Sequence, residues 1–103
     1  MASGIFGQAA LTAATNTTVY TVPASTVATI TLSVCNVGSQ LSYFRAALCS
    51  ADTPTNAEYI EFNTEILVNS TFERSGIVMQ AGKKLVVYSN VAGIAVTAYG
   101  FEE

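Results

Sequence analysis

Apolar and polar residues alternate with a period of two along most of this chain. The pattern is cleanest over residues 26–36. Ala28, Ile30, Leu32 and Val34 fall on one side; Thr29, Thr31, Ser33 and Cys35 fall on the other. Successive side chains of a strand point to opposite faces, so this alternation predicts a strand with one buried face. Residues 17–22 are β-branched and aromatic and stop at Pro23, which cannot donate to a ladder. Asn-Val-Gly-Ser-Gln at 36–40 is turn chemistry, and residues 41–49 return as a strand. A polar loop follows at 50–57. Residues 59–62 read as a short strand and 66–68 as another. Asn69-Ser70, Ala81-Gly82-Lys83 and residues 90–93 then separate strands at 72–79, 85–89 and 94–101.

No segment sustains a helical period over about ten residues. Short strands with turn signals between them predict an all-β fold: one antiparallel β-sandwich of jelly-roll or immunoglobulin-like type, spanning residues 17–103. The expected core is Ala28, Ile30, Leu32 and Val34 with Phe44, Leu48, Ile94 and Val96.

Residues 1–16 differ in kind. They are rich in Ala, Thr and Gly, with apolar points at Ile5, Phe6 and Leu11 and no periodic stripe. This predicts an extended N-terminal arm outside the sandwich. Ile5, Phe6 and Leu11 are then the candidate attachment residues, and removal of residues 2–10 should leave the sandwich folded.

Matching apolar faces suggests that residues 26–36 and 41–49 form a hairpin, with Ile30 opposite Leu48, Leu32 opposite Ala46 and Val34 opposite Phe44. Cys35 and Cys49 would then lie about six residues apart along the ribbon, roughly 20 Å at about 3.3 Å per residue. A disulfide requires Cα atoms within about 7 Å. Two free thiols are expected, which suits synthesis in a reducing cytoplasm.

Composition changes the picture in one respect. Only 11% of the 103 residues are charged, against roughly 25% in an ordinary soluble domain. A small β domain without a charged skin is expected to cover its surface with copies of itself or a partner. A homo-oligomer follows, with a trimer favoured. The net charge is −3, and the four bases, Arg45, Arg74, Lys83 and Lys84, form no stripe. Nucleic acid and anionic membranes are therefore not expected partners. The opening residues have neither a basic nor an apolar region, so no secretory signal is expected.

The chain contains no histidine, which removes the usual general base and the commonest metal ligand. Glu58 with Glu61, or Glu61 with Glu65, could form a glycosidase pair, but solvated or interfacial strand carboxylates explain them better. No catalytic, cofactor-binding or metal-binding residue is assigned, no cofactor is expected, and an enzyme is not expected. Five tyrosines, Tyr20, Tyr43, Tyr59, Tyr88 and Tyr99, allow a second class of function, a glycan-stacking surface. An aromatic patch beside Asn, Gln or Asp on one exposed face would distinguish it.

Two stretches carry a resemblance. The first is Leu11-Thr12-Ala13-Ala14-Thr15-Asn16-Thr17-Thr18-Val19-Tyr20-Thr21-Val22-Pro23-Ala24, followed by the alternating strand that ends in Asn36. The second runs from Glu58-Tyr59-Ile60-Glu61 through Phe72-Glu73-Arg74-Ser75-Gly76 and Gln80-Ala81-Gly82-Lys83-Lys84-Leu85 to Tyr99-Gly100-Phe101-Glu102-Glu103. Together they resemble small virion structural proteins of tailed bacteriophages, cyanophages among them. The resemblance implies a non-enzymatic particle component located in the virion, with other capsid or tail proteins and sister subunits as partners. A capsid decoration or cement protein is the favoured role, with a tail, neck, baseplate or fibre component next. The family motif holds no catalytic residue to carry over.

Overall fold

A computed structural model describes residues 2–103. Eight strands are present: β1 (Ala2–Ala10), β2 (Thr17–Thr21), β3 (Ala28–Asn36), β4 (Ser42–Cys49), β5 (Tyr59–Ile66), β6 (Thr71–Met79), β7 (Lys84–Ser89) and β8 (Ile94–Glu102). A single 3-10 turn at Asn56–Glu58 lies before β5. The strands form two four-stranded sheets. Sheet A has the order β1-β8-β3-β6 and sheet B the order β2-β7-β4-β5.

The pairing has a simple logic. β1 pairs with β8, β2 with β7, β3 with β6 and β4 with β5, all antiparallel. The chain is thus one long ribbon doubled back on itself and wrapped, so that β3–β8 and β4–β7 contacts complete the two sheets. This is the strand order of an eight-stranded jelly roll, and it decides between the two sandwich types expected from sequence.

The inward positions of both sheets make the core. Ala28, Ile30, Leu32 and Val34 are fully buried, as are Phe44, Ala46, Leu85, Val87, Ile94, Val96 and Ala98. Leu48, expected in the core, packs against it only in part. Side chains of three buried polar residues are satisfied. Asn36 donates from Nδ2 to the carbonyls of Gln40 and Ile66 and accepts from Gly38 N, and Ser42 and Ser89 bond each other at 2.7 Å. Leaving such groups unpaired in the interior would cost about 1–3 kcal/mol each.

The long sides of the sandwich close differently. On one, β1 approaches β2 so tightly that a Cβ on Gly7 would lie 2.1 Å from the Val19 carbonyl oxygen. Glycine is therefore required at the bulge of β1 between Ile5 and Gly7. The Phe6 ring stacks on Tyr20, centroids 5.2 Å apart, and the Tyr20 hydroxyl donates to Glu102. On the other side, Arg74 of β6 bridges to Glu61 of β5 at 2.7 Å.

Three expectations are corrected. The N-terminal segment is not a free arm: it is an edge strand paired with β8 from Ala2–Glu102 to Ala10–Ala95. An edge strand buries little side chain, so a run of Ala, Ser and Gly suffices. The sandwich therefore includes Ala2–Ala10 of the segment assigned to the arm. Next, β3 and β4 are not a hairpin, because they lie in different sheets and face each other across the core. Apolar matching pairs faces that meet across a core as readily as neighbours within a sheet. Finally, the two short strands expected near 59–68 are one, β5, which passes its irregularities while continuing to pair with β4. Asn63 within it has a left-handed φ of 52°.

Both cysteines are free, for a reason unlike the hairpin register. Cys35 is at an outward position of sheet A and Cys49 at an outward position of sheet B, so the whole sandwich separates them.

Candidate functional site

The outer face of sheet A carries exposed side chains. Its outward positions form rows across the strands. Ser3, Phe101, Thr29 and Val78 make one; Ile5, Tyr99 and Thr31 the next; Gln8, Thr97, Ser33 and Glu73 the third; Ala10, Ala95, Cys35 and Thr71 the last. Glu73 is the only carboxylate among them and no base is present. Ile5 is 64% exposed and Val78 62%, with Tyr99 and Phe101 also open to solvent. Large apolar side chains thus gather on the first two rows, surrounded by Thr, Ser and Gln. The Tyr99 hydroxyl donates to Glu73 at 3.1 Å. That hydrogen bond, to an acceptor that is itself anionic, raises the phenol above its usual range.

The three residues assigned to an arm separate here. Ile5 is on the outer face. Phe6, displaced by the bulge, turns inward against Tyr20. Leu11 is buried, and its N–H bonds the Ile94 carbonyl at 2.9 Å. Only Ile5 is available to a partner. Sequence reasoning missed Val78 and Phe101, and offered Tyr99 only as one of five tyrosines for glycan stacking. The available signal was parity: Tyr99 and Phe101 share the face of Ala95 and Thr97, opposite Ile94, Val96 and Ala98.

The outer face of sheet B is covered at one end. The loop between β4 and β5 folds back over outward residues Ala47, Cys49 and Val86, which join Tyr59 in a second small apolar cluster. Polar contacts fasten this cover. Asp52 accepts from Thr18 at 2.6 Å and from Lys84 at 3.1 Å, and Lys83 donates to Ser50. Glu58 accepts from the Thr55 and Ser50 N–H groups and from the Thr55 hydroxyl. These bonds favour the charged carboxylates. Asp52 is lowered first by Thr18 and then by Lys84; Glu58 is lowered first by the Thr55 backbone. Burial beneath the loop, and then the nearby Glu58 charge, raise the Cys49 thiol.

Beyond the loop, the same face carries an open groove lined by Tyr43, Arg45, Asn63, Tyr88 and Asn90. Three of the five tyrosines, Tyr43, Tyr59 and Tyr88, therefore stand on sheet B's outer side. Tyr20 is in the core and Tyr99 is on sheet A. Of the carboxylates considered for glycosidase chemistry, Glu58 orders its loop, Glu61 holds Arg74 and Thr64, and Glu65 lies opposite Tyr43 on sheet B. Among the described residues no group of three or more His, Cys, Asp or Glu side chains could hold a metal ion. Among the described residues no helix is long and apolar enough to cross a membrane.

Comparison with protein-family models, with curated proteins and with solved structures returned no match to this chain.

Proposed function

We propose that this chain is a non-enzymatic structural component of a tailed-phage virion, acting as a symmetric oligomer. Its favoured role is a capsid decoration or cement protein. The observation that carries the reading is the outer face of sheet A, an open apolar surface with a single carboxylate. The sequence likeness to small virion proteins points the same way, and so does the low charge of the chain as a whole.

The mechanism is burial of area. Each large side chain of the Ile5, Val78, Tyr99 and Phe101 group contributes about 1.5–3 kcal/mol when fully removed from water. Association of two proteins costs about 4–15 kcal/mol in lost freedom and ordering. A few such contacts therefore hold a pair weakly, and closed symmetry with repetition over a particle makes attachment firm. The segment once expected to reach out as an arm serves here as the edge strand that presents Ile5. The thiols need no partner, which fits synthesis in a host cytoplasm.

Mass spectrometry and cryo-EM of purified particles test this. The expected result is the protein at lattice-matched copy number, with the outer face of sheet A against a neighbour. Copies matching a ring at the neck, tail, baseplate or fibre would move it there. Absence from the particle would overturn the reading.

A further inference from the structure

The groove on sheet B is built unlike any other surface of the molecule. Arg45 and Tyr43 are at successive outward positions of β4, Tyr88 is at an outward position of β7, and Asn90 follows the end of β7 beside Tyr43. β5 supplies Phe62 and Asn63. The Arg45 guanidinium is held between two rings, its carbon 4.4 Å from the Phe62 centroid and 4.7 Å from that of Tyr88. Its Nε donates to Asn63 Oδ1 at 2.7 Å. Tyr59 meets Phe62 edge-on and supports the stack. The guanidinium is thereby fixed in plane and orientation before any ligand arrives.

What it lacks is an anion. Arg74 is paired with Glu61 and Lys84 with Asp52, but among the described residues no carboxylate lies within salt-bridge distance of Arg45. Its two terminal nitrogens have no acceptor among the described residues. The amides around it are polarised the same way. Asn63 spends its oxygen on Arg45. Asn90 spends its oxygen on the Tyr43 N–H at 2.8 Å and the Ser42 hydroxyl at 3.2 Å. Because an N–H group is only a donor, these contacts fix which end of each amide is oxygen. Both Nδ2 groups are left as unused donors. The groove thus offers a planar cationic fork, amide donors, the two tyrosine hydroxyls and an exposed ring at Tyr43.

A donor-rich fork selects a carboxylate, which it can meet with two parallel hydrogen bonds. Aromatic faces pack on the C–H faces of a sugar ring. The Arg45 groove measures about 320 Å³, at the small end of ligand sites; a neighbouring depression of about 500 Å³ shares Asn90 with it. The geometry points to a binding site for a carboxylate-bearing saccharide, with the carboxylate on Arg45 and a pyranose ring against Tyr43. This site is on the sheet opposite the proposed assembly face, so it stands or falls independently of that role.

Titration calorimetry of the full chain with trigalacturonate, maltotriose and acetate tests it, with saturation-transfer NMR to find the contacted protons. Trigalacturonate should bind at least tenfold more tightly than either of the others. Arg45→Lys, which keeps the charge and the stem but not the fork, should weaken trigalacturonate at least tenfold. Tyr43→Ala should weaken it several-fold, and circular dichroism should show both variants folded. Equal binding of maltotriose would overturn the carboxylate; equal binding of acetate would overturn the saccharide. Trigalacturonate binding that survives both substitutions, or no binding at millimolar concentration, would overturn the site.

Discussion

The two outer faces of this sandwich start from the same pleat and end in opposite states. On sheet A, outward Val78 is 62% exposed; on sheet B, outward Val86 is 2% exposed. The difference is the loop between β4 and β5, which folds back over Ala47, Cys49 and Val86 and is fastened by Asp52 and Glu58. At that end sheet B covers its own apolar outer residues, whereas Tyr43 and Phe62 beyond the loop stay exposed. Sheet A leaves Ile5, Val78, Tyr99 and Phe101 without a cover from the described residues. A solvent-facing strand position is thus no guide to exposure until its cover is known. An apolar side chain without a cover within its own chain is the better marker of an interface.

The largest effect expected is on sheet A's own edge. Deleting residues 2–10 removes β1, strips Phe6 from Tyr20 and exposes the β8 ladder. The loss should reach several kcal/mol, comparable with the roughly 5–15 kcal/mol that holds a small domain together. Urea denaturation should find the truncated chain largely unfolded. A truncation as stable as the full chain would restore the free arm that the sequence suggested.

Next comes the direct contrast of the faces. Val86→Asp places a carboxylate under the loop and should destabilise by about 3 kcal/mol or more. Val78→Asp, at an equally outward position, should change monomer stability by about 0.5 kcal/mol or less. Chemical denaturation of both settles it, and equal losses would mean that sheet A is covered too.

A smaller effect concerns the side where the sheets meet. Burial first, and then the bond to Glu102, raise the Tyr20 phenol well above its usual range. The folded state therefore holds this proton more tightly than the unfolded state does. The resulting stability is complete below about pH 10 and is lost as pH rises beyond it. Tyr20→Phe should cost about 1 kcal/mol at neutral pH and flatten the alkaline fall in Tm. An unchanged alkaline limb would mean another group controls it.

The smallest effect tests the cover on sheet B. Asp52→Asn weakens the tie to Lys84 and should speed modification of Cys49 by a thiol reagent several-fold at constant pH. Cys35, on the other sheet, should react at its original rate. Equal acceleration of both thiols would indicate global loosening instead of release of the loop.

Much of the fold was legible in the sequence because the alternation in β3 and β8 is nearly unbroken. Ala28, Ile30, Leu32 and Val34 are buried, and strand limits there agree within two residues. The sheet order was not legible. Period-two patterning tells which side of a strand is inward, but not whether the matching strand lies beside it or across the core. That ambiguity produced the β3–β4 hairpin. β1 was missed because an edge strand of Ala, Ser and Gly has little pattern to read. The candidate surfaces suffered most: Ile5, Val78 and Tyr99 come from three strands, and so do Arg45, Phe62 and Tyr88. Their proximity exists only once the ribbon is wrapped.

The central claim is that the outer face of sheet A is where copies of this chain meet. Sedimentation velocity at micromolar concentration tests it most directly, comparing the natural chain with the Ile5→Lys/Val78→Lys double variant. The account predicts a closed oligomer, a trimer, for the natural chain and a folded monomer for the variant, because two charges would have to be buried in the interface. A natural chain that sediments as a monomer throughout, or a variant that keeps the oligomer, would contradict it.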